Sequence, residues 1–401
     1  MNMTSPRTPP LPAKIYPRAL CAVLGFAAAL LALFATPQAQ AQNRGMTLLR
    51  DQEIENTLRA YGRPIFEQAG LSPETVRFIL VQDDRLNAFV AGGQNIFVNT
   101  GLILETETPD ELAGVLAHET GHIAAGHLFR TREAAEDASL QALLAQIIGI
   151  AAAIGTRSGD AAMATVAAGS TFAQQSILRH SRVQESAADQ AGLRYLQDAQ
   201  LPVEGFAKFM EKLSSQELLP ESQQSEYVRT HPLTRDRIDF LQNAIAQQRR
   251  AGSTPAEWAA LHSRMKAKLN GFIFPERAVR DTGTSVAARY GRAIALYRRA
   301  QTKDALALLD TLIGEEPKNP WFHELKGQIL FEGGRIEEAI PPYARAVEYA
   351  PDSGLIRTAY AHALLEAKEN KTARTQAAVK ELQRAQRSEP QSAMIDRKSV
   401  V

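Results

Sequence analysis

Two histidines and a glutamate define the chemistry to look for: His118-Glu119-Thr120-Gly121-His122. On an α-helix, positions i and i+4 share one face a single turn apart, so His118 and His122 can aim two imidazoles at one point. Glu119, one residue after the first histidine, points slightly aside, where it reaches a metal-bound water without being a ligand. Two neutral nitrogen ligands and a positioned carboxylate are what hydrolysis by zinc-activated water needs. Zinc brings the pKa of such a water to about 7, and the glutamate takes its proton as the oxygen attacks a carbonyl. The plain alternative is two surface histidines on a solvated face, and the flanks argue against it. Thr108-Pro109-Asp110-Glu111 supplies an N-cap, a proline at the first helical position and a capping-box acid. Leu112, Val115, Leu116, Ala117, Ile123, Ala124 and Ala125 then make the helix nearly apolar around the histidines. A helix of that kind is buried, and buried histidines need partners.

Such a site still wants a third protein ligand. His127 lies five residues past His122, rotated by roughly 140° around a continuing helix and so off the ligand face. Nor is it six residues on, as the extended H-x-x-G-x-x-H pattern requires. A structural role is expected for it. Glu185 and Asp189 are better placed: they are i, i+4 neighbours with Ser186, Ala187 and Ala188 between them, so their helix can pack closely on another. Glu185 can then ligate the metal while Asp189 hydrogen-bonds the far nitrogen of a ligand histidine. Two acids on a solvated face would be the reading if no metal helix awaited a ligand.

The elements that must position these groups are legible in outline. Asp51–Gly70 reads as an amphipathic helix with Ile54, Leu58, Tyr61, Ile65 and Phe66 on one side. Residues 76–82 read as a strand, and residues 87–90 and 95–99, around Gly92-Gly93, as a hairpin directly before the metal helix. An exposed sheet edge there could take a substrate as an added strand. After the metal helix, 134–154 and 161–175 are alanine-rich helical stretches, and the polar break at 155–160 is either plain connection or a lid.

The N-terminus is set apart from the fold. Arg7, Lys14 and Arg18 precede an apolar run from Ala19 to Ala35 and then Ala39-Gln40-Ala41, the pattern of a signal peptide cleaved after Ala41. The mature chain then has no cysteine, since Cys21 is the single one, and folds on its core alone. The formal charge of +1 includes those three cations and no acid, leaving −2 for the mature chain, which gives no footprint for a nucleic-acid partner.

At this point the chain resembles the M48 family of zinc metallopeptidases. The matching pieces are Asn87–Ile103, Asp110–His127, Glu185-Ser-Ala-Ala-Asp189 and Thr230-His231-Pro232-Leu233-Thr234-Arg235-Asp236-Arg237-Ile238, in family order. The resemblance implies one zinc ion per chain on His118, His122 and Glu185, Glu119 as general base and Asp189 as orienter of a ligand histidine. It also implies that His231 lies near the metal, either stabilising the oxyanion together with Arg237 or occupying the open metal position at rest. The implied fold is mainly α with a small β-sheet, a gluzincin-type domain at 42–253. Integral-membrane branches of the family carry several spanning helices that this sequence does not show, so the resemblance points to the exported branch, in the periplasm.

Beyond a helical connector at 254–284, a repeat appears. Pro317 and Pro351 are 34 residues apart. Gly327, Ala339, Tyr343 and Ala346 fall on tetratricopeptide positions, and Ala305 and Pro317 fit an earlier unit. Ala378 and Ala385 fit a third unit if five extra residues around Glu369–Ala373 extend its inter-helix turn. An α-solenoid of about three repeats is therefore expected over 285–395, with a concave surface for protein partners. The implied partners are unfolded or misassembled envelope proteins and, through the repeats, the outer-membrane assembly machinery, with room for peripheral membrane association. A chaperone or assembly adaptor holding a gated or mainly structural zinc is the rival expectation. The last six residues, 396–401, are what a common sequencing-adapter DNA string would encode, so the natural chain is expected to continue past Ile395.

Overall fold

The structure is a computed structural model. It describes residues 47–127 and 181–389, apart from 215, 217, 218, 221, 222 and 248–250. The expected signal peptide, the alanine-rich stretches with their break, and the C-terminal six residues lie outside the described residues.

The described sheet has four strands in the order β1-β2-β4-β3: β1 Leu48–Leu49, β2 Arg77–Val81, β3 Ala88–Ala91 and β4 Asn95–Asn99. The hairpin is present, with β3 antiparallel to β4 and Gly92 and Gly93 at positive φ in its turn. β4 runs parallel to β2, Phe78 opposite Ile96 and Leu80 opposite Val98, and these four face the core. That leaves β3 at one edge of the described sheet. The amphipathic helix forms as Gln52–Gln68, capped by the Asp51 side chain, which accepts from the Ile54 amide. Its five predicted apolar residues are all buried. Each such side chain contributes about 1.5–3 kcal/mol by leaving water, so the stripe anchors the helix on the sheet.

The helix carrying the histidines spans Pro109–Ala124, with Thr108 as N-cap accepting from the Glu111 amide. It is wedged between neighbours by glycines. A Cβ on Gly121 would lie 2.8 Å from the carbonyl oxygen of Ala188, and one on Gly114 would lie 2.5 Å from Cβ of Phe206. From the other side, a Cβ on Gly192 would lie 3.0 Å from the His118 nitrogen. Close packing of the 181–198 helix on the histidine helix therefore depends on missing side chains, as the small residues beside Glu185 implied.

The connector is more than a spacer. Its helix, Trp258–Ile273, puts Trp258, Met265 and Leu269 into the same core as Ile54, Leu116 and Phe206. Three helix pairs follow: Val286–Arg298 with Thr302–Glu315, Pro320–Glu332 with Ile336–Tyr349, and Gly354–Glu366 with Lys371–Ser388. Gly327 lies under the Tyr343 ring, which a Cβ would approach to 2.8 Å, and Ala305, Ala339, Ala346, Ala378 and Ala385 are buried at helix crossings. The third unit departs from the expected shape. Its inter-helix turn, residues 367–370, is one residue longer than the turns at 299–301 and 333–335. The other extra residues lengthen its second helix, which has 18 residues against 14 in the preceding two units. Asn370 at φ 50° closes that turn, a conformation asparagine tolerates better than most residues.

Candidate metal centre

Four elements bring the predicted groups together. The helix Pro109–Ala124 carries His118, Glu119 and His122, and the 181–198 helix carries Glu185 and Asp189. His231 ends the short helix Glu226–Thr230, whose N-cap is Ser225, and Arg237 lies in the first turn of Arg235–Ala246. One nitrogen each of His118, His122 and His231 and one oxygen of Glu185 lie within 4.8 Å of one another.

The spacing of these atoms tests whether a metal fits. His122 Nε2 is 3.1 Å from His118 Nε2, and Glu185 oxygens lie 3.3 Å from each of those nitrogens. His231 Nδ1 is 3.3 Å from His118 Nε2 and 3.2 Å from Glu185. Bonds of about 2.0–2.1 Å in a tetrahedron put donor atoms about 3.3 Å apart, so the cluster has the edges of a zinc site. Charge agrees as well. Glu119, Glu185 and Asp189 are buried together with a single guanidinium, Arg237, surroundings that favour a cation at the cluster. Both Glu119 oxygens are buried with no hydrogen bond among the described residues, and His231 Nε2 lies 3.5 Å from Oε1. A carboxylate stranded in this way is costly unless it serves the chemistry beside it.

Behind the ligand set is a positioning layer. Asp189 Oδ1 lies 2.9 Å from His118 Nδ1, turning the other ring nitrogen toward the cluster. Arg237 clamps Asp189 bidentately, Nε donating to Oδ2 at 2.6 Å and Nη2 to Oδ1 at 2.9 Å, and its Nη1 lies 3.1 Å from Glu185. Arg237 also donates to the carbonyls of Pro232 and His231, locking the loop that presents His231.

Electrostatics divide the two zinc-helix histidines. Burial pulls His118 down, but Asp189 and Glu185 overcome it and raise the ring to about 9. His122 is pushed down to about 3, mainly by burial. Burial alone would raise Glu185, yet the surrounding histidines hold it well below the usual carboxylate range, whereas Glu119 is pushed up by burial.

His127 keeps clear of the donor cluster, as expected, but not for the reason given by a continuing helix. The helix stops at Ala124, and Gly126 follows at φ 64°. His127 is buried there, with Nδ1 3.0 Å from Nδ1 of His122. The Tyr227 ring, 4.7 Å from that of His231, was not anticipated; its place four residues before His231 is the only signal the sequence held. At the sheet edge, His231 Nε2 lies 3.3 Å from the carbonyl oxygen of Ala88 in β3, so the edge strand borders the centre.

Fold and site define a class: an M48-type zinc metallopeptidase domain followed by tetratricopeptide repeats. Residues 49–245 match the model of peptidase family M48, and residues 290–354 match a tetratricopeptide repeat model. Among individual proteins, the chain is 27% identical over 335 residues to the beta-barrel assembly-enhancing protease of Yersinia pestis, covering 80% of this chain and 67% of that protein. It is 25% identical over 302 residues to the protein of the same name in Escherichia coli K12, covering 73% and 61%. A mitochondrial metalloendopeptidase, OMA1 of Schizosaccharomyces pombe, is 27% identical over 206 residues, half of this chain and 56% of that one. The chain thus spans three fifths to two thirds of the length of the first two relatives. No helix among the described residues is long and apolar enough to cross a membrane.

Proposed function

We propose that the chain is an exported zinc endopeptidase that acts on misfolded or stalled outer-membrane proteins in the periplasm. The observation that carries the reading is the convergence of His118, His122 and Glu185 at tetrahedral spacing beside a buried Glu119 that makes no hydrogen bond among the described residues. His118, His122 and Glu185 hold one zinc ion, which supplies Lewis acidity toward a scissile carbonyl and toward water. Glu119 takes the proton from the attacking water and passes it to the leaving amine. Asp189 fixes the His118 ring, and Arg237 fixes Asp189. The edge strand β3 receives substrate main chain, and the repeats over 285–395 hold the client or the assembly machinery, as the names of the relatives suggest. We assign residues 1–41 to a signal peptide, 42–253 to the peptidase and 254–284 to the connector.

A second reading gains from the position of His231. Its Nδ1 belongs to the donor group, which supports occupation of the open metal position at rest and a gated enzyme with substantial chaperone character. Zinc content by mass spectrometry, paired with cleavage of an unfolded outer-membrane protein, tests the proposal. We expect one zinc per chain, loss of cleavage on chelation and its return with added zinc. A chain that purifies without zinc and takes up none would overturn the site.

His127 gives a finer test. With His122 Nε2 turned to the donor cluster, its Nδ1–H is left to donate to His127 Nδ1, so His127 sets the His122 tautomer. Loss of such a partner costs about 10–100-fold in metal affinity. His127→Ala is expected to show that loss in competition with a chromogenic chelator, and His127→Asn to recover part of it. Equal zinc affinity in all three chains would contradict the role.

A further inference from the structure

A cavity of about 600 Å³ lies away from the metal centre, where β1 and the start of the first helix, the connector helix and the repeat helices meet. Its walls are mixed: Phe272, Leu325, Phe331 and Tyr343 give it apolar and aromatic faces, and Asp51 and Glu332 are among the charged residues beside them. Glu324, on the first helix of the second repeat, lines it. Among the described residues its carboxylate makes no hydrogen bond or ion pair. Lys268, which also lines the cavity, is already engaged: its Nζ is 2.7 Å from Asp51 and 3.2 Å from Glu53, and Glu53 also pairs with Arg264 and accepts from the Tyr290 hydroxyl. Arg50 and Arg298, the other cations in the lining, form no ion pair with Glu324; Arg50 is taken by Glu55 and Glu389.

We propose that this cavity is a binding site for a lysine or arginine side chain of an extended peptide, with Glu324 as its counter-ion. An unpaired carboxylate between aromatic and aliphatic walls matches a cation on an aliphatic stem: the stem packs on the walls, and the head meets both the acid and the ring faces. The volume is that of a ligand pocket, enough for a side chain together with its peptide neighbours rather than a small free amine. Burial pushes the Glu324 carboxyl up to about 7, with Asp51 and Glu53 adding to the shift against Lys268.

The site stands apart from the peptidase chemistry and is measured without it. The full chain, in a Glu119→Gln background so that no peptide is cut, is titrated calorimetrically with the capped peptide Ala-Leu-Ala-Xaa-Ala-Leu-Ala, Xaa being Lys, Arg or Gln, and separately with spermidine. We expect the Lys and Arg peptides to bind at least 10-fold tighter than the Gln peptide. The preference should vanish in Glu324→Gln, whose melting temperature is unchanged or higher. Glu324→Ala gives the same reading by a second route should the glutamine chain fold poorly. A basic preference that survives both substitutions, or no preference in the parent chain, overturns the assignment. Spermidine binding without peptide discrimination overturns it in favour of a free polyamine.

Discussion

Glu119→Gln is expected to keep its zinc and lose cleavage by about 10²–10⁴-fold, the range that a positioned general base supplies. The substitution is nearly isosteric and removes only the ability to accept a proton. Glu119 makes no hydrogen bond among the described residues, so the amide gives up only the 3.5 Å approach to His231 Nε2. The donor atoms of His118, His122, Glu185 and His231 are untouched, so metal content should match the parent chain. The two measurements are read together: rate constants on an unfolded outer-membrane protein, and zinc per chain. Cleavage within tenfold of the parent at full zinc would remove Glu119 from the proton-transfer role. Zinc loss in the variant would instead make it part of the ligand set.

The second large effect is on stability. Arg237→Met keeps much of the side-chain volume but leaves Asp189 and Glu185 without their guanidinium in the interior. Breaking a buried pair by removing one partner costs about 3–5 kcal/mol, to be read as the shift in urea unfolding of the metal-free chain. The carbonyls of Pro232 and His231 lose their donor too, so the His231 loop should loosen. Arg237→Lys should recover little, because one ammonium cannot reproduce the bidentate fork. The deficit also has a pH signature. Burial works to raise Asp189, but Arg237 and His118 hold it below its ordinary 3.8. A depressed acid contributes stability above its unfolded pKa and loses it as pH falls through its native value. The gap between parent and variant should therefore be full at neutral pH and narrow only in strong acid. A shift under about 1 kcal/mol would show the clamp to be dispensable.

The sequence made legible whatever depended on local periodicity. His118 and His122 were readable because a helix converts a spacing of four into a shared face, and Thr108 and Pro109 marked where that helix begins. Glu185 and Asp189 were readable because the small residues between them announced a close helix contact, and Gly121 meets the backbone of Ala188 at that contact. His127 was half legible. Its exclusion from the ligands could be argued from helical rotation, but its approach to His122 required knowing that the helix ends at Ala124 and that Gly126 takes a positive φ. The parallel pairing of β2 with β4 was not legible, because short apolar strands carry no mark of their partner. Nor was the engagement of Lys268 by Asp51 and Glu53, residues more than two hundred positions away that only tertiary folding brings together. The assignment of His231 and Arg237 rested on family resemblance alone, and the geometry supplies the physical reason: Arg237 binds both Asp189 and the loop carrying His231.

Because Trp258, Met265 and Leu269 complete the core that begins at Ile54, while Tyr290 on the first repeat reaches back to Glu53, the peptidase and its repeats are not beads on a string. A cut placed where the family motif ends, after residue 245, would strip one wall from the catalytic half and leave its apolar interior wet. The smallest inheritable piece of this molecule, for an engineer or for evolution by domain shuffling, therefore runs through the connector helix. What reads in the sequence as a connector is the keel on which both halves are built.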